Sequence, residues 1–206
     1  MNIIKTLSKG VPLLALLVAS LPAYGASVSY FLDQANVMPD GIDYLRVSIS
    51  ELSGGGVDFM VEPLAPLSGV AGPNFGVQEF GFNVNPGVST SGVQILGLPA
   101  TWNVRTGDRQ KMSIFGRFDF GVWGDGMSRQ DPLSFSVTGL SLSNIEPFFA
   151  AHVADFDGPS TISSAYFGGG APDPVPLPGA AWLFASGLLG VLAAARGRRS
   201  GVVAAR

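Results

Sequence analysis

Apolar and polar residues alternate along most of the middle of this chain. Leu45, Val47 and Ile49 are separated by single polar residues, and the runs around Phe59 and Phe135 repeat the pattern. A period of two places successive side chains on opposite faces of a strand. Glycine and proline separate the runs, and no window of about twelve residues has a helical period. We therefore predict an all-β domain over residues 26–167, an antiparallel β-sandwich or jelly-roll-like fold of about nine or ten strands.

The longest alternating run lies between Met112 and Val122 and predicts one continuous strand, with Met112 and Ile114 on its buried face. Residues 161–167 are predicted to form the closing strand of the domain. Residues 168–179 are rich in glycine and proline, which favour flexible and extended chain, so we predict a linker there.

The first 25 residues have the three parts of a secretory signal peptide. Lys5 and Lys9 provide the positive start, and residues 11–21 form a short apolar run. Small residues follow, which predicts cleavage between Gly25 and Ala26. An apolar run of about eleven residues is too short to span a bilayer. The sequence thus predicts export through the Sec machinery.

The other end of the chain has the features of a membrane span. Residues 180–195 are uncharged and would form a helix of about 24 Å at ~1.5 Å per residue. With adjoining apolar residues and arginine stems that reach the interface, this approaches the ~30 Å of a hydrocarbon core. The basic tail, residues 196–206, contains the predicted stop-transfer residues Arg196, Arg198 and Arg199. The positive-inside bias keeps these arginines cytoplasmic and places the domain outside.

This C-terminal segment resembles the sorting signal of PEP-CTERM proteins, the bacterial substrates of exosortases. The sequence VPLPGAAWLFASGLLGVLAAARGRR is similar to the proteobacterial variant, in which Val-Pro-Leu-Pro leads into a Trp-Leu-Phe helix and an arginine tail. The preceding tripeptide has aspartate where the family name has glutamate. The residues that match the motif region are Pro172, Asp173, Pro174, Val175, Pro176, Leu177 and Pro178.

The resemblance implies three steps for the exported chain. An exosortase would recognise it at the inner membrane, cleave it near the proline-rich motif and deliver it to the cell surface or the extracellular polysaccharide matrix. We therefore expect a single-pass precursor with its domain on the periplasmic side.

Composition excludes several classes of partner and site. Residues 26–171 carry fourteen acidic and six basic side chains, a net charge near −8. Nucleic-acid binding needs a basic face, so no nucleic-acid partner is expected. The chain has no cysteine, which excludes disulfides, thiolate zinc sites and a Cys–His nucleophile.

Few residues are candidates for chemistry, and we predict no catalytic residue. His152 is the only histidine and lies in an alternating run, so we interpret it as structural. No serine lies in a Gly-x-Ser-x-Gly turn, which removes the usual support for a hydrolase. We predict no obligatory cofactor, with calcium as an alternative. The oxygen ligands that would bind it are Asp125, Asp155 and Asp157.

Trp123 is the candidate for sugar contact, because it ends a strand beside several glycines where an exposed indole could stack on a sugar ring. A buried or edge-packed indole is the alternative. The expected function is therefore a structural or adhesive protein of the surface, biofilm or exopolysaccharide matrix, without enzymatic activity. A calcium-dependent carbohydrate-binding module is the second hypothesis, and a secreted hydrolase that uses paired carboxylates is the third.

Overall fold

The computed structural model describes residues 25–158 and 160–172. Most of the predicted signal peptide, the sorting residues after Pro172, the predicted helix 180–195 and the basic tail lie outside the described residues. Within the described part of the chain, no helix is long and apolar enough to cross a membrane.

The described chain is almost entirely β-structure, and its strands pair antiparallel in two curled sheets. In spatial order, the first sheet contains β12 (Ala171–Pro172), β1 (Ser27–Leu32), β3 (Leu45–Glu51), β4 (Val57–Pro63), β9 (Leu133–Thr138) and β6 (Gln94–Leu96). The second contains β2 (Gln34–Ala35), β11 (Ser164–Gly169), β10 (Ile145–Phe156), β5 (Ala71–Val84), β8 (Arg117–Trp123) and β7 (Asn103–Lys111).

Helical structure among the described residues is limited to short turns. The α-helix α1 (Ala65–Ser68) has one turn, and 3-10 turns cover Ser113–Phe115 and Leu142–Asn144. The prediction of an all-β domain is confirmed. The structure describes twelve strands, and the two-residue strands β2 and β12 account for the excess over the predicted number.

The two sheets share one aromatic core with Phe59 near its centre. The Phe59 ring stacks on Phe135 of its own sheet at 5.0 Å between ring centroids. It also meets Phe82, Phe80 and Phe149 of the opposite sheet at 4.9, 6.0 and 6.5 Å. The predicted alternation is therefore correct for these strands, because their apolar positions point into a core that both sheets cover.

The run from Met112 to Val122 is not the single strand that its pattern predicts. Strand β7 ends at Lys111 and β8 begins at Arg117, with a 3-10 turn between them. Gly116 has a φ of +97°, and its carbonyl accepts a hydrogen bond from the Met112 N–H at 2.9 Å. The chain therefore reverses here, and Ile114, which we predicted to be buried, is 72% exposed.

The start of the predicted linker belongs to the sheets. Strand β11 continues through Gly169, and β12 then pairs with β1. A Cβ on Gly168 would collide with the Phe115 ring, and one on Gly170 would collide with the Pro147 carbonyl. These glycines are required by close packing where the chain crosses from one sheet to the other, which differs from the flexible linker we predicted.

Candidate functional site

The outer face of the first sheet carries an open groove of about 460 Å³. Strands β3, β4 and β9 run side by side beneath it, and their outward positions lie opposite one another in two rows. Ser50, Asp58 and Ser136 form one row. Ser48, Met60 and Ser134 form the other. Since the outward residues of β3 and β9 in these rows are serines, the face is low on both sides of β4.

Hydroxyl groups and one carboxylate dominate the polar lining of this groove. The Ser136 hydroxyl donates to Asp58 Oδ1 at 2.5 Å, which fixes the carboxylate against the sheet. The hydroxyls of Ser48 and Ser29 of β1 lie 2.9 Å apart. A serine hydroxyl can both donate and accept, whereas an ionised carboxylate only accepts. The groove therefore suits a ligand that presents many hydroxyl groups.

Apolar and backbone surface completes the groove. Met60 is 39% exposed at its centre and offers a thioether and methylene groups to the C–H face of a ligand. Gly97, which follows β6, lies at the rim. In the next row along the strands, Arg46 and Glu62 form an ion pair at 2.8 Å, so this guanidinium is already neutralised.

A second polar cluster lies on the outer face of the other sheet. His152 of β10 stacks on Tyr166 of β11 at 4.3 Å between ring centroids and lies opposite Glu79 of β5. The Glu79 carboxylate accepts a hydrogen bond at 3.0 Å from the Gln110 amide, a side chain that is 2% exposed. Strand pairing and ring stacking hold this cluster together.

Burial controls the protonation of this cluster. Burial lowers the pKa of His152 from 6.5 to about 4, and the positive charge of Arg129 lowers it further. Burial also raises the pKa of Glu79, which Arg105 and Gln110 only partly offset. The buried Nδ1 of His152 has no hydrogen-bond partner among the described residues. His152 is thus a neutral packed ring at pH 7.

Trp123 is not presented as an open platform for sugar stacking. The Arg105 guanidinium lies over its ring, 4.8 Å from the ring centroid. The indole is half-buried, and its Nε1 is buried without a partner among the described residues. The geometry matches the edge-packed alternative, so we do not carry Trp123 forward as a ligand contact.

The three predicted calcium ligands each take part in a hydrogen bond that involves the backbone. Asp125 is exposed, and its carboxylate accepts the Met127 N–H at 3.0 Å in a turn. Hydrogen bonding from the Ser128 side chain, and then from Met127, lowers the pKa of Asp125. Asp155 has a φ of +68° and accepts the Asn74 N–H at 2.6 Å. The Asp157 N–H donates to the Val70 carbonyl. Among residues 25–158 and 160–172, no group of three or more acidic, histidine or cysteine side chains could hold a metal ion.

The predicted processing positions lie at the start of β1 and at the end of β12. Gly25 and Ala26 are exposed, and the Ala26 carbonyl accepts the Glu51 N–H at 2.8 Å. Sheet pairing therefore begins at the first residue after the predicted signal cleavage. Pro172, the first residue of the motif region, is exposed and ends β12.

Comparison of the chain with protein-family models, with curated proteins and with solved structures finds no match.

The sequence reasoning missed the serine groove. Its signal was present, since small hydroxyl residues occupy the outward positions of β3 and β9. Outward serines are also ordinary strand-surface residues, and only the strand order places the two sets on either side of Asp58 and Met60.

Proposed function

We propose that this chain is an exported, exosortase-sorted protein of the cell surface or extracellular matrix that binds a neutral polysaccharide without catalysis. The serine-lined groove of the first sheet is the observation that carries the binding proposal. Its volume and its mixture of hydroxyl, carboxylate and thioether groups suit a short stretch of sugar chain. Sugar hydroxyls would exchange hydrogen bonds with the serines and donate to Asp58.

The charge of the domain supports a neutral ligand over an anionic one. Residues 26–171 have a net charge near −8, and Asp58 adds a local negative charge inside the groove. An anionic polymer would be repelled on approach and would bring its own charges beside this carboxylate.

The facing sheets support a β-sandwich more than a jelly roll. Apart from the two-residue β2, strands β1, β3 and β4 follow one another as neighbours in one sheet. In a jelly roll, successive strands alternate between sheets.

The binding proposal predicts that Ser134→Phe weakens binding of a neutral polysaccharide at least about tenfold, because the ring would fill the groove. Affinity electrophoresis or calorimetry with soluble dextran, galactomannan and xyloglucan measures the effect, with alginate as the anionic comparison. Ser53→Phe, in an exposed turn outside the groove, is the matched control and should bind as the wild type does. Equal binding by the two variants, or binding of alginate alone, would contradict the proposal.

The sorting proposal predicts the termini of the mature protein. Mass spectrometry of the chain from its native host should find a form that begins near Ala26 and ends between Pro172 and Pro178. Replacing Asp173 by alanine tests whether the Pro-Asp-Pro tripeptide is the recognised element. If that variant is sorted normally, Val175–Pro178 is the better candidate. A membrane form that keeps Arg196 to Arg199 would rule out processing at the motif.

A further inference from the structure

Three apolar side chains lie among the polar residues on the outer face of the first sheet. Met60 of β4 is 39% exposed and Leu96 of β6 is 49% exposed, while Phe31 of β1 is half-buried. The residue before each of them packs into the core between the sheets, namely Phe59, Ile95 and Tyr30. Because successive strand residues point to opposite faces, all three apolar side chains point outward.

Strand register fixes where Phe31 and Met60 lie relative to each other. Ser48 of β3 pairs with Ser29 on one side and with Met60 on the other. Met60 therefore lies in the row of Ser29, and Phe31 lies one row further along β1. The step from Phe31 to Met60 crosses two strands and moves by one row of outward residues.

The step from Met60 to Leu96 is the same. Ser136 of β9 pairs with Asp58 of β4 and with Leu96 of β6, so Leu96 lies two strands away in the row of Asp58. Because β1, β4 and β6 run in the same direction, this step also moves by one row in the same direction. With ~4.8 Å between strands and ~3.4 Å per residue, each step is about 12 Å. The three side chains thus form an evenly spaced diagonal of about 24 Å, which we call the apolar line.

Polar side chains separate the three members of the apolar line. Ser134 and Ser136 of β9 lie between its second and third members. Arg46 and Ser48 of β3 lie between its first and second members, and the Arg46 guanidinium is paired with Glu62. An elongated ligand on this diagonal therefore meets apolar surface at regular intervals, with hydroxyl groups and a neutralised ion pair between.

Sugar chains present the same alternation. A pyranose ring has apolar C–H groups on its faces and hydroxyl groups around its edge, so the faces suit apolar side chains and the edges suit serines. In a β-1,4-linked chain the rings stay in a straight ribbon and successive rings turn over, so every second ring presents the same face. Chains with α-1,4 linkages coil and those with α-1,6 linkages are flexible. Evenly spaced contacts on one diagonal therefore favour the straight ribbon.

We propose that a β-1,4-linked polysaccharide lies diagonally across the first sheet, with the C–H faces of its rings on Phe31, Met60 and Leu96. This inference rests on the proposed function and names the linkage class of its ligand. It also extends the site beyond the serine groove, because Leu96 stands on the edge strand β6 next to the groove-lining Gly97.

Replacing Leu96 by serine tests the extension of the site. The ligand is xyloglucan, which has a β-1,4-linked glucan backbone, and calorimetry is done on the full chain in a detergent without a sugar headgroup. We expect Leu96→Ser to weaken binding about fivefold or more, because one partly exposed leucine no longer covers a ring face. Val104→Ser is the matched control, since Val104 is 43% exposed on the edge strand β7 of the other sheet. Equal affinities for the two variants would overturn the proposal.

The wild-type chain provides a second test that needs no substitution. We expect xyloglucan to bind at least about tenfold more tightly than α-1,6-linked dextran, and cellohexaose at least about tenfold more tightly than cellobiose, which is too short to reach two members of the apolar line. Dextran that binds as tightly as xyloglucan would overturn this inference and leave the proposed function intact. Binding of no neutral polysaccharide at all would overturn the proposed function itself.

Discussion

Replacing Phe59 by alanine is expected to lower the free energy of unfolding by about 3–5 kcal/mol, the range for removing a large buried aromatic ring. Phe59 is 1% exposed and stacks on Phe135 at an interplanar angle of 6°. It also contacts Phe82, Phe80 and Phe149 of the facing sheet. Removing it therefore leaves a cavity between the two sheets that surrounding rings can fill only in part.

Urea unfolding followed by tryptophan fluorescence or circular dichroism measures this loss. Ile114→Ala is the matched control, because Ile114 is 72% exposed and its truncation should change stability by no more than about 0.5 kcal/mol. A loss for Phe59→Ala no larger than that of Ile114→Ala would show that the sheets do not depend on this ring.

Acidification from pH 6.5 to about 4 is expected to destabilise the wild-type fold through His152. The folded-state pKa of His152 is lowered to about 4, mainly by burial and also by Arg129. In the unfolded chain it is near 6.5. Between these values the unfolded state binds the additional proton, so stability falls as pH falls through this window. Above pH 6.5 the neutral ring carries no penalty, and below about 4 both states are protonated and the loss is complete.

The expected loss is about 2 kcal/mol, after allowing for solvent screening of a ring that is partly exposed. His152→Gln, which stays neutral throughout, should lack this part of the pH dependence in chemical unfolding measured from pH 4 to pH 7. Glu79 acts in the opposite direction, since its raised pKa makes the fold lose stability as pH rises from 4.5. The comparison is therefore repeated in a Glu79→Gln background, and equal slopes with and without His152 there would contradict the assignment.

Much of the fold follows from the alternation of side chains, and the correct and incorrect predictions have a common cause. The period of two identified β3, β4 and β9 correctly, because the buried face of each strand is apolar. It failed at Ile114, where a glycine with positive φ reverses the chain and moves an apolar residue to the surface. Periodicity describes which residues could share a face, whereas a turn inside the run decides whether they do.

At the candidate sites too, local sequence suggested a role, and contacts between distant segments decided the geometry. Asp125 and Asp155 are two of the predicted calcium ligands. The Asp125 carboxylate accepts the Met127 N–H in its own turn, and the Asp155 carboxylate accepts the Asn74 N–H of β5. Trp123 has the sequence context of an exposed indole, and Arg105 from a neighbouring strand lies over its ring. The Asp155–Asn74 and Arg105–Trp123 contacts cannot be derived from local sequence, because both depend on which segments lie side by side.

The sequence by itself determined the all-β character of the domain, its net negative charge and the absence of thiol chemistry, since each follows from composition or from a local period. The tertiary structure decided what strand order and close packing control. The serines of β3 and β9 line one groove because β4 lies between these strands. Strands that pair across a long sequence separation cannot be recognised from a local pattern. The glycines from Gly168 to Gly170 have the composition of a linker. Neighbouring side-chain and backbone atoms leave no room for a Cβ at these positions, so this segment is closely packed where the chain passes from one sheet to the other.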